Sequence, residues 1–275
     1  MTFAMSLCSM LYLPERPIGT EHLSLPVVAS SSSASMQNTR IIFATGFQIP
    51  QRHYQSYAKD LASNSMLPFF VPDTSPTDGS ESLDDSAEKL IGQISKLQRE
   101  NTKSRTDSTI LIGHSRGGAV AVVAASKAKI VVKALILIDP VDDKQGSAVH
   151  AILSNLKPIP TLILSTPFGG YSSYYRKSFA SVCAPPVRGP EAFLIAFNTR
   201  NQQLGNSVNS LSYEKPEILF LEYENIGHLE LLDDLKGLSF GSVCAAKGDK
   251  ISTENARKNQ IRAIIDFIYR NDNNK

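Results

Sequence analysis

The chain has 275 residues, a formal net charge of +2 at neutral pH and a hydrophobic content of 42%. That is enough apolar material for one large core, and it lacks the basic surplus and the interleaved aromatic and basic residues that nucleic-acid binding requires. No run approaches the ~18 uninterrupted apolar residues of a transmembrane helix, whereas peripheral membrane contact through an exposed apolar rim is compatible with the composition.

Residues 1–38 read as an N-terminal extension, partly irregular, ahead of one domain at 39–275. Met1 to Leu13 is mildly apolar but lacks the early basic region and cleavage site of a secretory signal. Ser30 to Met36, a run of serines broken by Ala34, reads as a linker. A plastid transit peptide is Ser-rich, basic and poor in acids; Glu15, Glu21 and the scarcity of arginine argue against one, and the segment leaves plastid and cytoplasm both open. Cys8, Cys183 and Cys244 are too few and too scattered for a disulfide framework or a zinc site, so no metal is expected. Cys183 and Cys244 read equally as a spatial pair or as two small buried hydrophobes.

From residue 40 onward apolar runs alternate with amphipathic ones, the rhythm of an α/β fold whose mostly parallel central sheet carries helices on both faces. Ile41 to Ala44 is the first central strand. His53 to Ala62 predicts a helix with Tyr54, Tyr57, Ala58 and Leu61 on one face, and Leu67 to Val71 a strand with Pro68 at its tolerant start. Ser82, followed by Asp84 and Asp85, caps a helix whose Ala87, Leu90, Ile91, Ile94 and Leu97 recur at helical spacing and which stops near Asn101.

Thr109 to Ile112 is the next strand, and it runs into Gly113-His114-Ser115-Arg116-Gly117-Gly118. A serine on a tight strand-to-helix turn needs glycine two residues before and two after, because the backbone approaches itself too closely for a Cβ. Gly113 and Gly117 meet that need, which makes Ser115 the candidate nucleophile. The helix starting near Arg116 aims its first amides and its positive dipole end at the oxygen that becomes negative in acyl transfer. Val131 to Ile138 is a further apolar strand, ended abruptly by Asp139-Pro140. His150 falls in a helical pattern, Thr161 to Ser165 is a strand, and residues 166–190, rich in Gly, Pro, Ser and Tyr, read as an irregular excursion over the site. Glu217 to Glu222 is the last strand, and Thr253 to Tyr269 the closing helix, striped by Ile261, Ile264, Ile265 and Ile268.

Behind an elbow of this kind the partners of the serine follow as acid and then histidine, the latter on the loop after the last strand. His228 fits by order and by element. His22 and His53 precede the nucleophile, His114 lies inside the elbow and His150 comes too early. The acid has to end a strand where its carboxylate can hold the imidazole tautomer, and Asp139 does so, with Asp142 and Asp143 as rivals whose plainer reading is a solvated loop. Asp233 and Asp234 follow the histidine. The oxyanion donors fall on the amide of Arg116 and on the Thr45-Gly46-Phe47 turn, where Phe47 is the candidate; an ordinary turn glycine is the plainer, lesser reading of Gly46. The Arg116 side chain either covers the site or pairs with Asp85 or Glu88.

These residues, with Asp-Pro-Val at 139–141 and Gly-His-Leu-Glu-Leu-Leu-Asp-Asp at 227–234, resemble the chlorophyllase family of α/β-hydrolases over about residues 39 to 272. Cys183-Ala184-Pro185 and the surroundings of Cys244 add weaker likeness. The resemblance implies an α/β-hydrolase fold, a triad of Ser115, Asp139 and His228, and hydrolysis of the phytyl ester of chlorophyll to chlorophyllide and phytol without metal or organic cofactor. One departure concerns the oxyanion turn, where Thr45-Gly46-Phe47 stands in place of the family's His-Gly-Tyr.

The residues by themselves support ester hydrolysis through an acyl-enzyme. A small apolar ester, chlorophyll or another lipid ester, is the expected partner: Phe168, Tyr171, Tyr174, Tyr175 and Phe179 supply aromatic surface for a ring or long alkyl chain, or else pack into the core. Two other readings stand beside this one. A general carboxylesterase or lipase would use the same machinery, and a non-catalytic binding protein can share the fold, although Ser, Asp and His kept in order argue against the latter.

Overall fold

Alternate residues of each central apolar run serve two different cores, and this period of two sets the architecture. The computed structural model describes residues 39–65, 67–72, 80–100, 108–127, 131–166, 187–207, 215–223, 227–233 and 250–273. The strands are β1 (Thr39–Ala44), β2 (Phe69–Phe70), β3 (Ser108–His114), β4 (Val131–Ile138), β5 (Thr161–Ser165) and β6 (Ile218–Glu222). They form one sheet in the order β2-β1-β3-β4-β5-β6, and every neighbouring pair is parallel.

The helices are α1 (Gln55–Ser65), entered through a 3-10 turn at Gln51–Tyr54, then α2 (Leu83–Glu100), α3 (Arg116–Lys127), α4 (Ser147–Ser154), α5 (Pro190–Ser207) and α6 (Lys250–Asn273). Ile42, Ala44, Leu111, Leu135, Leu137 and Ile163 face one core with α2, α3, α4 and α5. Their strand neighbours Ile41, Phe43, Ile110, Ile112, Ile136, Ile138, Leu162 and Leu164 face the other, covered by α1 and α6. Each large side chain so buried contributes about 1.5–3 kcal/mol by transfer from water. The parallel pairing then follows from chain geometry, since each return to the sheet needs a crossover, here a helix on one face or the other.

The predicted helix start at Ser82 is present: its Oγ accepts the Asp85 amide at 3.0 Å and donates to the Asp85 carboxylate at 2.7 Å. The helix predicted from His53 instead begins as the 3-10 turn behind Pro50, and β2 pairs over only two residues of the expected 67–71 run. Helix α5 has no counterpart among the elements the sequence predicts. Phe193, Ala196 and Phe197 bury its first turns, but from Asn198 onward Thr, Arg, Asn and Gln erase the apolar stripe by which a helix is recognised. The expectations for the 1–38 extension, for residues 167–186 with their aromatics, and for Cys183 and Cys244 lie outside the described residues. Among the described residues no helix is long and apolar enough to cross a membrane.

Phe267 on α6 is completely buried against the sheet. Phe267→Ala is expected to cost about 3–5 kcal/mol, read as a lower urea midpoint at unchanged slope. A loss below about 1 kcal/mol would contradict the role of α6 as the lid of this core.

Candidate active site

Because β1, β3 and β4 are adjacent and parallel, the turns that leave them open on one edge of the sheet. The chain leaves β1 toward β2 on one side, while β3 lies on the other, so the β1 and β3 exits form the crevice where open α/β sheets bind ligands. Among the described residues three non-glycine positions adopt a positive φ: Gln48 at 52°, Ser115 at 55° and Asp139 at 44°. They follow β1, β3 and β4 respectively. Left-handed conformations of this kind cost about 1–3 kcal/mol each, so the local strain is concentrated on that edge.

Ser115 sits between β3 and α3. A Cβ on Gly113 would run into the Gly117 carbonyl, and one on Gly117 into the carbonyl oxygens of Ala44 and Thr45. The two glycines therefore let α3 start directly against the end of β1. The Ser115 amide donates to the Ile138 carbonyl at 3.0 Å, and its own carbonyl accepts from Gly118 at 2.9 Å and Val141 at 3.0 Å. These bonds stitch the elbow to the exit of β4.

Asp139, 1% exposed, terminates β4. Its amide donates to Leu164 at 2.7 Å, and one carboxylate oxygen accepts the Thr166 amide at 3.0 Å. The other accepts from His228 Nδ1. A carboxylate only accepts, so the imidazole carries its proton on Nδ1 and presents a lone pair at Nε2, to which Ser115 Oγ donates at 2.9 Å. Hydroxyl, imidazole and carboxylate thus touch in series across 113 positions of sequence, with His228 3% and Ser115 8% exposed.

The rival acids are engaged elsewhere. Asp142 accepts the amides of Asp143, Ala148 and Val149 at 2.9, 3.0 and 2.9 Å, while Asp143 accepts from the Ser147 hydroxyl and from the amides of Gln145 and Ser147. Together they cap α4. The loop bearing His228 is held from behind. Leu229 and Leu231 are buried, Asp233 accepts the Ser56 amide at 3.0 Å and pairs with Arg257 of α6 at 3.6 Å, and its own amide donates to His53.

The turn carrying Phe47 and the first residue of α3, Arg116, lie side by side, because Gly117 backs onto Ala44 and Thr45. As the first residue of a helix, Arg116 has an amide with no intrahelical acceptor, available to an oxyanion. The Gly46 amide is taken by Tyr54 Oη at 2.9 Å, which leaves Phe47 as the next donor of the turn. Of the alternatives the sequence leaves open for the arginine side chain, pairing with Asp85 or Glu88 is not observed. The side chain donates to Ser86 Oγ at 2.8 Å and to the carbonyls of Glu81 and Ser82 at 2.8 and 2.9 Å. Asp85 is bound to Ser82 Oγ and Glu88 to Lys127, so the guanidinium takes the main-chain oxygens at the start of α2 instead. Burial lowers the pKa of Arg116, while Glu81 and Asp143 hold it up.

Two residues passed over in the sequence stand directly behind this arrangement. The sequence marks Tyr54 only as part of a helix face and His114 only as an elbow position; both are at most 1% exposed and hydrogen-bonded to one another at 2.8 Å. Burial first, and the neighbouring His228 ring second, push the His114 pKa well below its ordinary 6.5, against the carbonyl of His228, which raises it.

Asp142→Asn is expected to leave turnover of the folded protein within about twofold, whereas Asp142→Ala, which strips the Asp143 amide and the α4 amides of Ala148 and Val149 of their acceptor, should cost about 2 kcal/mol of stability. An inactive but folded Asp142→Asn protein would return Asp142 to the list of candidate acids. Because His114 is neutral in the fold, the unfolded chain binds more protons below pH 6.5, so stability falls as the pH drops through that value. Urea unfolding between about pH 7.5 and about pH 5 should show wild type losing up to about 1.4 kcal/mol per pH unit relative to His114→Phe, and parallel curves would contradict the neutral assignment.

No protein-family model matches the chain, and no curated protein does. Solved structures do match. An esterase from Pyrococcus furiosus is similar over 86% of this chain and 84% of its own, at a TM-score of 0.51 and 12% identity. A variant of Arabidopsis thaliana SOBER1 is similar over 84% of this chain and 99% of its own, at a TM-score of 0.50 and 12% identity. Likeness at such identity concerns the backbone: the chain has the α/β-hydrolase fold, built on a parallel six-stranded sheet.

Proposed function

We propose that the protein is a serine hydrolase that cleaves a carboxylic ester of an apolar substrate through an acyl-enzyme. The observation that carries this reading is the 2.9 Å contact between Ser115 Oγ and a His228 nitrogen whose other ring nitrogen is bound to buried Asp139. Ser115 Oγ attacks the ester carbonyl carbon while its proton passes to His228 Nε2, and Asp139 stabilises the imidazolium. The tetrahedral oxyanion is met by the amides of Arg116 and Phe47. Collapse expels the alcohol, which takes the proton from His228, and water activated by the same nitrogen then releases the acid and restores Ser115.

Within this class the phytyl ester of chlorophyll is the substrate we favour. Its support is the resemblance carried by Gly-His-Ser-Arg-Gly-Gly, Asp-Pro-Val and the segment around His228. On this reading the residues work without metal or organic cofactor, phytol is the leaving alcohol and chlorophyllide the acid.

Incubation of purified protein with chlorophyll a, short-chain nitrophenyl esters and triacylglycerols, followed by product analysis, tests both levels. Phytol release by wild type, reduced about a thousandfold or more in Ser115→Ala and His228→Ala, is the expected result. Asp139→Asn should lose turnover with the fold intact. Turnover of the other esters with chlorophyll untouched would replace the substrate by a general carboxylesterase or lipase reading. No hydrolysis of any ester by wild type would overturn the assignment as an enzyme.

A further inference from the structure

Behind the Ser115, His228 and Asp139 side chains runs a second series of hydrogen bonds that the proposed chemistry does not use. The Gly46 amide donates to Tyr54 Oη at 2.9 Å. Tyr54 Oη lies 2.8 Å from His114 Nδ1, and His114 Nε2 lies 2.8 Å from the main-chain oxygen of His228. A carbonyl carries no proton, so Nε2 must donate to it. In the neutral ring Nδ1 is then an acceptor, and the tyrosine hydroxyl donates to it. Every proton in the series points the same way, from the β1 turn to the histidine loop.

The packing around this series is equally specific. His114 and His228 rings lie 4.8 Å apart, and Tyr54 meets His114 edge-on at 5.8 Å and Phe43 at 5.0 Å. At Gly46 a Cβ would come within 3.2 Å of Tyr54 Oη, 3.3 Å of His114 Nδ1 and 2.9 Å of Ile49 Cδ1, so the turn rests directly on the series. Gly46 and His228 are 182 positions apart along the chain, so the Phe47 turn and the His228 loop are held together here by these contacts rather than by sequence proximity.

We propose that Tyr54 and His114 are positioning residues, which tie the oxyanion turn to the loop of the general base so that both meet the substrate carbonyl in one fixed geometry. The inference rests on the hydrolase reading of the site. A protonated His114 would not serve. Its Nδ1–H would confront a tyrosine oxygen already accepting from Gly46, and its charge would stand against the His228 ring just as that ring takes up the serine proton. Misplacement of a reacting group by a fraction of an ångström costs rate rather than binding, because the substrate still enters but reaches the attack geometry less often.

Kinetics and histidine NMR together test this. Tyr54→Phe and His114→Phe should lower kcat by about tenfold to a hundredfold with KM within about twofold. His114→Gln, whose side-chain amide can again donate toward the His228 carbonyl, should recover part of the loss. Tyr57→Phe is the control: Tyr57 is a fully buried tyrosine of α1 whose hydroxyl has no hydrogen-bond partner among the described residues, and its variant should keep wild-type kcat. Wild-type kcat in folded Tyr54→Phe and His114→Phe, or equal losses in Tyr57→Phe, would overturn the inference.

A readout independent of activity covers variants that do not fold and the case in which wild type hydrolyses no ester, which is a failure of the hydrolase reading alone. In wild-type protein labelled with nitrogen-15 histidine, His114 should stay neutral with its proton on Nε2 between about pH 5.5 and about pH 8. A proton on Nδ1, or titration of His114 in that range, would overturn the inference whatever the kinetics.

Discussion

The close approach of α3 to the end of β1 is the constraint on which the rest of the site depends. Gly113 and Gly117 have no side chains because the Gly117, Ala44 and Thr45 carbonyls occupy the space where Cβ atoms would be. That single packing condition brings the start of α3 beside the Phe47 turn, raises Ser115 into a left-handed conformation and leaves its hydroxyl facing His228. A parallel sheet supplies the remaining geometry. Exits of adjacent strands share an edge, so residues 113 positions apart in sequence meet without any local signal linking them.

The site is expensive where it is exact. Gln48, Ser115 and Asp139 hold conformations that most side chains avoid, and Asp139 and His228 are almost fully removed from water. Two well-packed cores offset this cost, one against α2 to α5 and one against α1 and α6. Polar neighbours then hold each functional group in place: Thr166 and Leu164 for Asp139, Asp233 with Ser56 and Arg257 for the histidine loop, and Ser86 with the Glu81 and Ser82 carbonyls for Arg116. Arg116, the residue just after Ser115, thereby ties the start of α3 to the start of α2.

Much of this was legible in the sequence because it is local. The spacing Gly-x-Ser-x-Gly after an apolar run states its own backbone geometry, and the strand that ends at Asp139-Pro140 marks where a carboxylate stands. His228 follows from its order behind the serine together with its place after the last strand. What the sequence hid was of two kinds. Helix α5 loses its apolar stripe halfway, so periodicity fails although Phe193 and Phe197 anchor it. The Tyr54–His114 contact joins residues 60 positions apart by polar atoms inside a core, and no period or motif records such a bond. The Arg116 side chain stays undecided in the sequence for a related reason: among its partners are main-chain oxygens, which every residue possesses.

The most direct test of the account is covalent labelling of the full chain with a fluorophosphonate, which phosphonylates a serine only where a base and an oxyanion site already cooperate. The intact protein should gain one adduct, mapped by peptide mass to Ser115, and His228→Ala should gain none. A folded wild-type protein that stays unmodified, or that carries its adduct on another residue, would contradict the account.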